Sequence, residues 1–528
     1  DTAAADEPIA IIGMACRLPG AADPQQFWDL LREGRSAIGE VPISRWDWRE
    51  TGGGARGEAG RHYTRFGGFI ADVDKFDPLF FGIAPQEAET LDPQERLFLE
   101  TAWHALEDAG YPAPVCKGRA VGVYVGVMNA GYEWLSGRAS VQGHGGDAHS
   151  AYWSVANRVT YCFDFTGPSM AVDTACSSSL TALHLACDAL RRGDCETAIA
   201  GGVNVIAGPV HFTRLCNLGM VSEGPDCKSF GDEADGFVDG EGVGAVMLKP
   251  LSRALADGDF IHGLVRGSAI NAGGKTGGYT VPNPWAQAQV VSRALDRAGL
   301  SARDISYVEA HGTGTSLGDP IEIAGLKEAF ATDTRDVDFC AVGSVKSNIG
   351  HLESAAGIAA LTKVLLQMRA GEIAPSLHAE PPNPDIDFAA TPFHVATRRR
   401  PWPARNGAPL RAGISGFGAG GANAHLVIES PPPIPVGEDA SGPQIVLLSA
   451  RTAPAFDRLI DTYIGWLAAK PEHVRLADIA FTSQIGRQAQ DERLAIVAES
   501  LDDLAKLLRT AKAGGADPRL MRGGPGGG

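Results

Sequence analysis

The sequence contains no uninterrupted apolar run of about eighteen residues, the length that a membrane-spanning helix needs. Its first residues lack the basic and apolar regions of a secretory signal peptide. The nine cysteines are scattered, and no two are spaced as Cys-x-x-Cys, which argues against a structural zinc site and fits a reducing compartment. We therefore expect a cytoplasmic protein with no signal peptide, no membrane contact and no metal.

Basic residues are in deficit. Lys and Arg number 46 against 63 Asp and Glu, which gives a formal net charge of −17. A chain of this charge is a poor partner for nucleic acid. The densest basic segment, residues 398–405, has two interpretations: a solvated loop, or a docking patch for an acidic partner.

The length, the composition and the order of the predicted elements are typical of a globular α/β protein. The 528 residues are 44% hydrophobic and 21% charged, and they exceed the length of one ordinary core. Apolar strands, such as those predicted at 8–16, 121–127 and 197–206, alternate with helical patterns to about residue 428. This alternation predicts stacked α/β layers.

The second half of the chain contains a predicted boundary. A Pro-rich segment at 431–443 has the composition of a linker between a domain at 1–430 and a small α/β unit at 444–512. The Gly/Pro-rich residues 513–528 are predicted to be a disordered tail. Since no domain end is obvious, we expect the chain to be a piece of a longer polypeptide.

A candidate nucleophile lies at the predicted junction of a strand and a helix. The β-prone residues 170–173 lead to Cys176, and an apolar stripe that begins at Leu180 predicts the helix. A helix N-terminus stabilises an anion by about 0.3–1 kcal/mol, so we expect the pKa of the Cys176 thiol to be lowered. The alternative is a small buried cysteine without a chemical role.

Two histidines follow predicted strands in the same way. His311 follows the strand at 305–310, and His351 follows a strand around Val342. The ends of parallel strands can converge, so we expect both histidines near Cys176. Asp319 and Glu322 have the spacing of a capping box, and one interpretation of both is helix capping.

A glycine-rich segment completes the set of candidates. Residues 416–423 contain Gly-x-Gly-x-x-Gly, but a dinucleotide site would need a helix after it, whereas residues 424–428 are predicted to form a strand. We therefore reject a nucleotide site. Because glycines let main-chain N–H groups approach a ligand closely, we expect the segment to supply an oxyanion donor.

In order and spacing, these motifs resemble those of β-ketoacyl synthases, in particular the ketosynthase domain of a modular polyketide synthase. The resemblance covers residues 7–430, and residues 444–512 resemble the subdomain that follows such ketosynthases. Residues 44–48 and 417–423 favour the synthases whose acyltransferase is a separate protein. The segments that carry the family resemblance are 173–180, 311–315, 346–351 and 416–423.

The resemblance implies a thiolase-like fold with two similar halves, a duplicated five-layer α/β/α/β/α core and a homodimer. It also implies a decarboxylative Claisen condensation that needs no bound cofactor. An acyl chain moves from the phosphopantetheine arm of an upstream acyl carrier protein to the cysteine. A malonyl-type extender on a second carrier protein then loses carbon dioxide and attacks, which gives a β-ketoacyl thioester.

The resemblance also implies a role for each candidate residue. Ala419 stands where fatty-acid relatives carry a bulky aromatic side chain, so a wider pocket is expected. The implied roles are nucleophile for Cys176, decarboxylation and enolate stabilisation for His311 and His351, oxyanion hole for the N–H groups of Cys176 and Ala419, a supporting ion pair for Lys346 and Glu322 with Asp319 beside it, and contact with the phosphopantetheine arm for Thr313 and Thr315.

Two alternatives stay open. Some relatives lack the first histidine and only transfer acyl chains between carrier proteins, whereas His311 is present here and favours condensation. A thiolase-like enzyme acting on coenzyme A esters is the other alternative. The sequence Asn-Ile-Gly-His that ends at His351 argues against it.

Overall fold

The computed structural model describes residues 7–143, 148, 150–405, 407–433, 442–470 and 474–524. The chain divides into two compact units. Unit 1 comprises Asp1–Ala105 and Gly118–Pro432, and unit 2 comprises Leu106–Lys117 and Pro433–Gly528. Most of the predicted linker, residues 434–441, lies outside the described residues. Among the described helices, none combines the length and apolarity needed to cross a bilayer.

The elements alternate along the chain as the sequence predicts. The strands are β1 (Ile9–Arg17), β2 (Ile38–Glu40), β3 (Phe66–Gly68), β4 (Val121–Gly126), β5 (Ser169–Val172), β6 (Thr197–Asn204), β7 (Gly242–Pro250), β8 (Gly263–Ala272), β9 (Tyr307–Glu309), β10 (Cys340–Gly343), β11 (Glu372–Ile373), β12 (Phe393–Val395), β13 (Arg400–Pro401), β14 (Arg411–Phe417), β15 (Ala422–Glu429), β16 (Gln444–Ala450), β17 (Glu492–Ala498) and β18 (Leu520–Gly523). The helices are α1 (Pro24–Arg32), α2 (Trp48–Thr51), α3 (Pro85–Thr90), α4 (Pro93–Asp108), α5 (Ala113–Cys116), α6 (Gly131–Val141), α7 (Tyr152–Phe163), α8 (Ser178–Arg192), α9 (Pro209–Asn217), α10 (Leu251–Asp257), α11 (Pro284–Ala298), α12 (Gly318–Phe330), α13 (Lys346–Ile349), α14 (Ala356–Ala370), α15 (Ala453–Ala468), α16 (Leu476–Ile485) and α17 (Leu501–Lys512).

The large sheet of unit 1 contains the same five-stranded pattern twice. The first copy has the order β1-β7-β6-β4-β5 and the second β8-β15-β14-β9-β10. In the first copy two antiparallel pairings are followed by two parallel ones. The second copy repeats this sequence of pairings. The predicted duplication is therefore confirmed by strand order and direction.

Two long helices, α8 and α14, form the layer between the two copies. Most side chains of both are buried, as expected for helices covered by strands on each side. They approach closely: a Cβ at Gly357 would lie 2.4 Å from Leu180 Cγ, and Ile358 N–H donates to Ser179 Oγ at 3.1 Å. The central layer thus brings the helix that follows β5 beside the helix that follows β10.

Unit 2 is a small α/β structure. Strands β16, β17 and β18 form an antiparallel sheet, and helices α15–α17 bury an apolar core with it. Residues 513–528 were predicted to be a disordered tail, but Leu520–Gly523 form strand β18. Leu520 packs against the core of unit 2 and the strand pairs with β17, which outweighs the glycine-rich composition around it. Residues 525–528 lie outside the described residues.

Candidate active site

Cys176 lies in the turn between β5 and α8, two residues before the helix begins. Ala175 has a φ of 54°, a left-handed conformation that costs a non-glycine residue about 1–2 kcal/mol. Serine hydroxyls stabilise the turn: Ser177 Oγ donates to Thr174 O at 2.9 Å, and Thr174 N–H donates to Ser178 Oγ at 2.9 Å. The serines after the cysteine therefore fix the backbone that presents the thiol.

The glycine-rich segment is the turn of the β14–β15 hairpin, so the strand predicted after it is confirmed. Gly418 packs directly on the nucleophile turn, since a Cβ there would lie 2.3 Å from Thr174 O. The main-chain N–H groups of Ala419 and of Cys176 both interact with the Cys176 sulfur. Two converging N–H donors beside a nucleophile form the geometry of an oxyanion hole.

The two histidines are brought together as predicted. His311 follows β9, and His351 follows β10 after the short helix α13. Their ring centroids are 5.4 Å apart and their planes are nearly perpendicular. His311 Nδ1 accepts the N–H of Phe417 at 3.4 Å, and His351 Nδ1 accepts the N–H of Glu353 at 3.1 Å. A neutral imidazole that accepts at Nδ1 carries its proton on Nε2.

Both histidines are neutral at physiological pH. Burial and the nearby Lys346 lower the pKa of His351 to about 3. Burial, Lys346 and His351 hold the pKa of His311 well below its ordinary value. Burial also lowers the pKa of Lys346, although Glu309 and Glu322 counteract that effect. The site therefore offers two Nε2–H donors beside a buried amine.

Asp319 and Glu322 do not cap α12, which begins at Gly318 without a side-chain cap. Their carboxylates instead turn back to the segment after β9. Glu322 accepts the N–H groups of His311 and Gly312, both at 2.7 Å. Asp319 accepts the N–H groups of Phe230 at 2.8 Å and of Gly314 at 3.2 Å. The capping interpretation is therefore wrong, because both carboxylates are buried against main-chain donors outside the helix.

The implied ion pair between Lys346 and Glu322 is likewise not direct. Among the ion pairs of the described residues, none joins the Lys346 amine to the Glu322 carboxylate within 4.0 Å. They interact only through space. Burial raises the pKa of Glu322 to about 7 and that of Asp319 to about 6. Glu309 forms a direct buried ion pair with Lys363 at 2.8 Å and also accepts Val345 N–H at 2.6 Å.

The prediction of a lowered thiol pKa is wrong. Burial and the Glu353 carboxylate raise the pKa of Cys176 to about 12, and the N–H groups and Lys346 offset this only in part. Desolvation outweighs the roughly 0.3–1 kcal/mol by which the nearby helix N-terminus stabilises an anion. Solvent exposure separates Cys176 and Cys162, which are half-buried, from the other seven cysteines, which are buried.

The remaining predicted residues lie as follows. Thr313 and Thr315 place their hydroxyls 3.4 Å apart, and Thr315 Oγ1 also accepts Gly318 N–H at 3.1 Å. In the basic segment, Arg405 contacts the Phe339 carbonyl and ring, while the indole of Trp402 is buried and donates to Ser306 Oγ at 2.8 Å. That segment is anchored to unit 1 rather than being a free loop.

A buried polar cluster beside His351 was not anticipated. It contains His211, Asp239 and Glu353, whose potential ligand atoms lie within 4.8 Å of one another. Glu353 stands two residues after His351 in sequence, which is the one signal that could have drawn attention to it. The other two come from distant segments, and only the fold brings them there.

Family models match three stretches of the chain. The β-ketoacyl synthase N-terminal domain matches residues 6–254, the β-ketoacyl synthase C-terminal domain matches 262–380, and the CurL-like polyketide synthase C-terminal model matches 444–508. The chain belongs to the β-ketoacyl synthase family. It is a ketosynthase, an acyl-transferring condensing enzyme of the polyketide synthase type, as the resemblance implied.

Relatives and solved structures agree with this assignment. Polyketide synthase PksM of Bacillus subtilis (strain 168) is 52% identical over 96% of this chain, and polyketide synthase ThaG of Burkholderia thailandensis is 48% identical over 99%. The chain spans only 12% and 10% of those two proteins.

The structural neighbours extend the agreement to the fold. The oxazolomycin ketosynthase domain OzmH KS7 of Streptomyces albus JA3453 has a TM-score of 0.95 and 47% identity, covering 98% of this chain and 90% of that one. The ketosynthase from module 6 of the bacillaene synthase of Bacillus subtilis 168 has a TM-score of 0.90 and 38% identity, covering 98% and 87%. The thiolase-like fold and the predicted subtype of ketosynthase are confirmed.

Proposed function

We propose that this ketosynthase extends polyketide chains by decarboxylative Claisen condensation rather than only transferring them. The observation that carries the proposal is that the β14–β15 hairpin contacts both sets of groups: Ala419 N–H interacts with the Cys176 sulfur, and Phe417 N–H donates to His311, whose ring lies 5.4 Å from that of His351. A transfer reaction needs the nucleophile and the oxyanion hole alone. Two Nε2–H donors are what an enolate oxygen requires in addition.

In the loading step, the Cys176 sulfur attacks the thioester carbonyl of an acyl chain on phosphopantetheine. The new carbon–sulfur bond forms as the bond to the pantetheine sulfur breaks, and the thiol proton leaves with that sulfur. The N–H groups of Cys176 and Ala419 stabilise the intermediate oxyanion, and one such donor is typically worth about 2.7–4 kcal/mol. Because burial raises the pKa of the thiol, we propose that its proton is lost as the sulfur attacks.

In the extension step, the malonyl-type group loses carbon dioxide, and the electron pair of the broken bond forms an enolate. His311 and His351 donate from Nε2 to the enolate oxygen. The carbanion attacks the Cys176 thioester, the tetrahedral oxyanion collapses, and the carbon–sulfur bond breaks. The step consumes one proton, which restores the Cys176 thiol, and the β-ketoacyl chain remains on the carrier.

Two variants test this assignment. Cys176→Ala should abolish covalent acylation, measured by intact-mass spectrometry; retained acylation would refute the nucleophile. His311→Ala should still be acylated but should neither release carbon dioxide from a malonyl carrier protein nor form product. Wild-type protein that is acylated but releases no carbon dioxide would instead support the transfer-only alternative.

We also propose the partners that this chemistry needs. Substrates arrive on the phosphopantetheine of an upstream acyl carrier protein and a downstream extender carrier, and Thr313 and Thr315 contact the arm. Their hydroxyls, half-buried and 3.4 Å apart, suit the amides of such a tether. The extender carrier would be loaded by a separate acyltransferase.

A homodimer is the proposed assembly. Strand β5, which leads to Cys176, lies at the edge of the large sheet. Large apolar side chains beside it are exposed: Met170 on the strand, and Trp153 and Tyr161 on α7. Exposed apolar groups at an open sheet edge favour pairing with another copy. We place the protein in the cytoplasm, supported by seven cysteines buried as free thiols.

A further inference from the structure

His211, Asp239 and Glu353 form a compact cluster beside the active site. His211 Nε2 lies 3.1 Å from the Glu353 carboxylate and 3.5 Å from Asp239 Oδ2. The two acidic side chains are almost completely buried, whereas His211 keeps 19% of its side chain exposed. Asn129 Nδ2 also donates to Glu353. The imidazole is thus the bridge between two buried carboxyl groups.

The cluster has more acceptors than donors. Asp239 Oδ2 is buried without a hydrogen-bond partner, and His211 Nε2 is the cationic group beside it. Two buried carboxylates cannot both be compensated by one imidazolium. Burial and Glu353 raise the pKa of Asp239 well above its ordinary value. Burial opposes the charge on His211, yet the Glu353 and Asp239 carboxyl groups raise its pKa to about 9.

The cluster is connected to His351 through the main chain. Glu353 has a φ of 46°, a strained conformation for a residue with a side chain, and its N–H donates to His351 Nδ1 at 3.1 Å. On the other side, His351 N–H donates to Val238 O at 2.7 Å and Gly240 N–H donates to His351 O at 3.0 Å. Asp239 therefore lies between two residues that bind the main chain of His351.

We propose that His211 is a positioning residue: as an imidazolium between Asp239 and Glu353, it keeps Glu353 in the left-handed conformation whose N–H fixes the Nε2–H form of His351. The inference deepens the proposed condensation, because it names a residue that acts on the enolate donor without touching substrate. A group that orients a histidine through its second nitrogen decides which tautomer is available.

Loss of the His211 imidazolium changes the electrostatic potential at His351. His211 faces Glu353, Asp239 and, on its own helix, Arg214. Asp239 also faces Glu241. Without His211 the Glu353 charge is uncompensated and raises the pKa of His351, while Lys346 continues to lower it. A proton taken up at Nδ1 would then repel the Glu353 N–H and remove the acceptor that fixes the ring.

The test compares His211→Gln, which keeps a hydrogen-bond donor without charge, with His211→Lys, which restores the charge. We expect His211→Gln to be acylated at Cys176 nearly as fast as wild type. Its carbon dioxide release from malonyl carrier protein should fall roughly 10- to 100-fold, with the acid limb of the pH profile moved to higher pH. His211→Lys should recover most of the loss. His394→Gln, which breaks another His–Asp pair at 2.7 Å from Asp338, is the matched control.

A second readout does not depend on activity. Nitrogen-15 NMR of labelled histidines should show His351 as the Nε2–H tautomer in wild type, with a mixture or a protonated ring in His211→Gln. An unchanged tautomer and pH profile would overturn the proposal, as would equal losses of acylation and carbon dioxide release. One bound metal ion per wild-type chain would also overturn it, since the three side chains would then be ligands. If wild type releases no carbon dioxide, the proposed condensation fails while the NMR comparison still decides the role of His211.

Discussion

The proposed oxyanion hole depends on a glycine that has no room for a side chain. A Cβ at Gly418 would lie 2.3 Å from Thr174 O and 3.1 Å from Ala422 O. Both neighbours are main-chain atoms, one in the nucleophile turn and one in the hairpin, so neither can rotate away. In Gly418→Ala the hairpin turn and the nucleophile turn must therefore separate by about 1 Å, given ordinary contact distances of about 3.5 Å.

The separation displaces the next N–H group, that of Ala419, from the position of the developing oxyanion. Loss of one such donor costs about 10²–10³ in rate, and a misplacement of about 1 Å costs on the order of 10². We therefore expect Cys176 in Gly418→Ala to be acylated about 100-fold more slowly than in wild type. A time course of intact mass with an acyl pantetheine thioester measures this rate directly.

Gly413→Ala in the same hairpin is the control. Its Cβ would lie 2.8 Å from His425 Nε2, which is a side chain, and it does not contact the nucleophile turn. Overpacking there should lower stability by about 1–3 kcal/mol and leave the acylation rate close to that of wild type. If Gly418→Ala is acylated at the wild-type rate, or both variants slow equally, the oxyanion role of this turn is refuted.

Three further outcomes are expected. The alkylation rates of Cys176 and Cys162 should rise steadily with pH and show no plateau near neutrality, because burial raises their pKa values to about 12 and about 11. A plateau near neutral pH at Cys176 would instead show that its pKa is lowered. Nitrogen-15 NMR should show His311 and His351 neutral at pH values well below 6.5, since their pKa values are lowered; protonation near 6.5 would contradict this. Burial raises the pKa of Glu322 from 4.5 to about 7. Between these two pH values the folded state binds more protons than the unfolded state, so the free energy of unfolding falls as pH rises. Glu322→Gln should reduce this pH dependence, measured by thermal unfolding at several pH values. It should also lower the free energy of unfolding by about 1–3 kcal/mol, because one main-chain N–H is left unpaired. An unchanged pH dependence and stability would refute this role of Glu322.

Local patterns predicted the elements and the positions of the reactive residues. The apolar stripe from Leu180 predicted α8, and the strand after residue 423 was enough to reject a nucleotide site. These signals are local because helix and strand periodicity, and the turns between them, depend on neighbours in sequence. The meeting of His311 with His351, beside the hairpin that also contacts Cys176, followed as well, since both histidines lie in segments that follow strands of the same sheet.

Properties that depend on distant residues were not predictable in this way. Asp319 and Glu322 have the spacing of caps, yet their partners lie in other segments, so spacing alone could not reveal them. The thiol pKa of Cys176 was misjudged because burial by several segments outweighs a nearby helix terminus. His211 gives no sequence signal, since its partners are brought to it only by the fold.

The duplication explains why these chemical groups meet at the centre of unit 1. In each copy of the five-stranded pattern, the strand at the far end leads through a turn to a helix of the central layer: β5 to α8, and β10 to α14. The packing of α8 on α14, with Gly357 against Leu180, brings those two turns together. One turn carries Cys176, the other carries His351, and the hairpin of the second copy adds Ala419 N–H. Neither copy alone contains both Cys176 and the histidines, so we expect a change that separates α8 from α14 to disable the proposed site without altering any proposed reacting group.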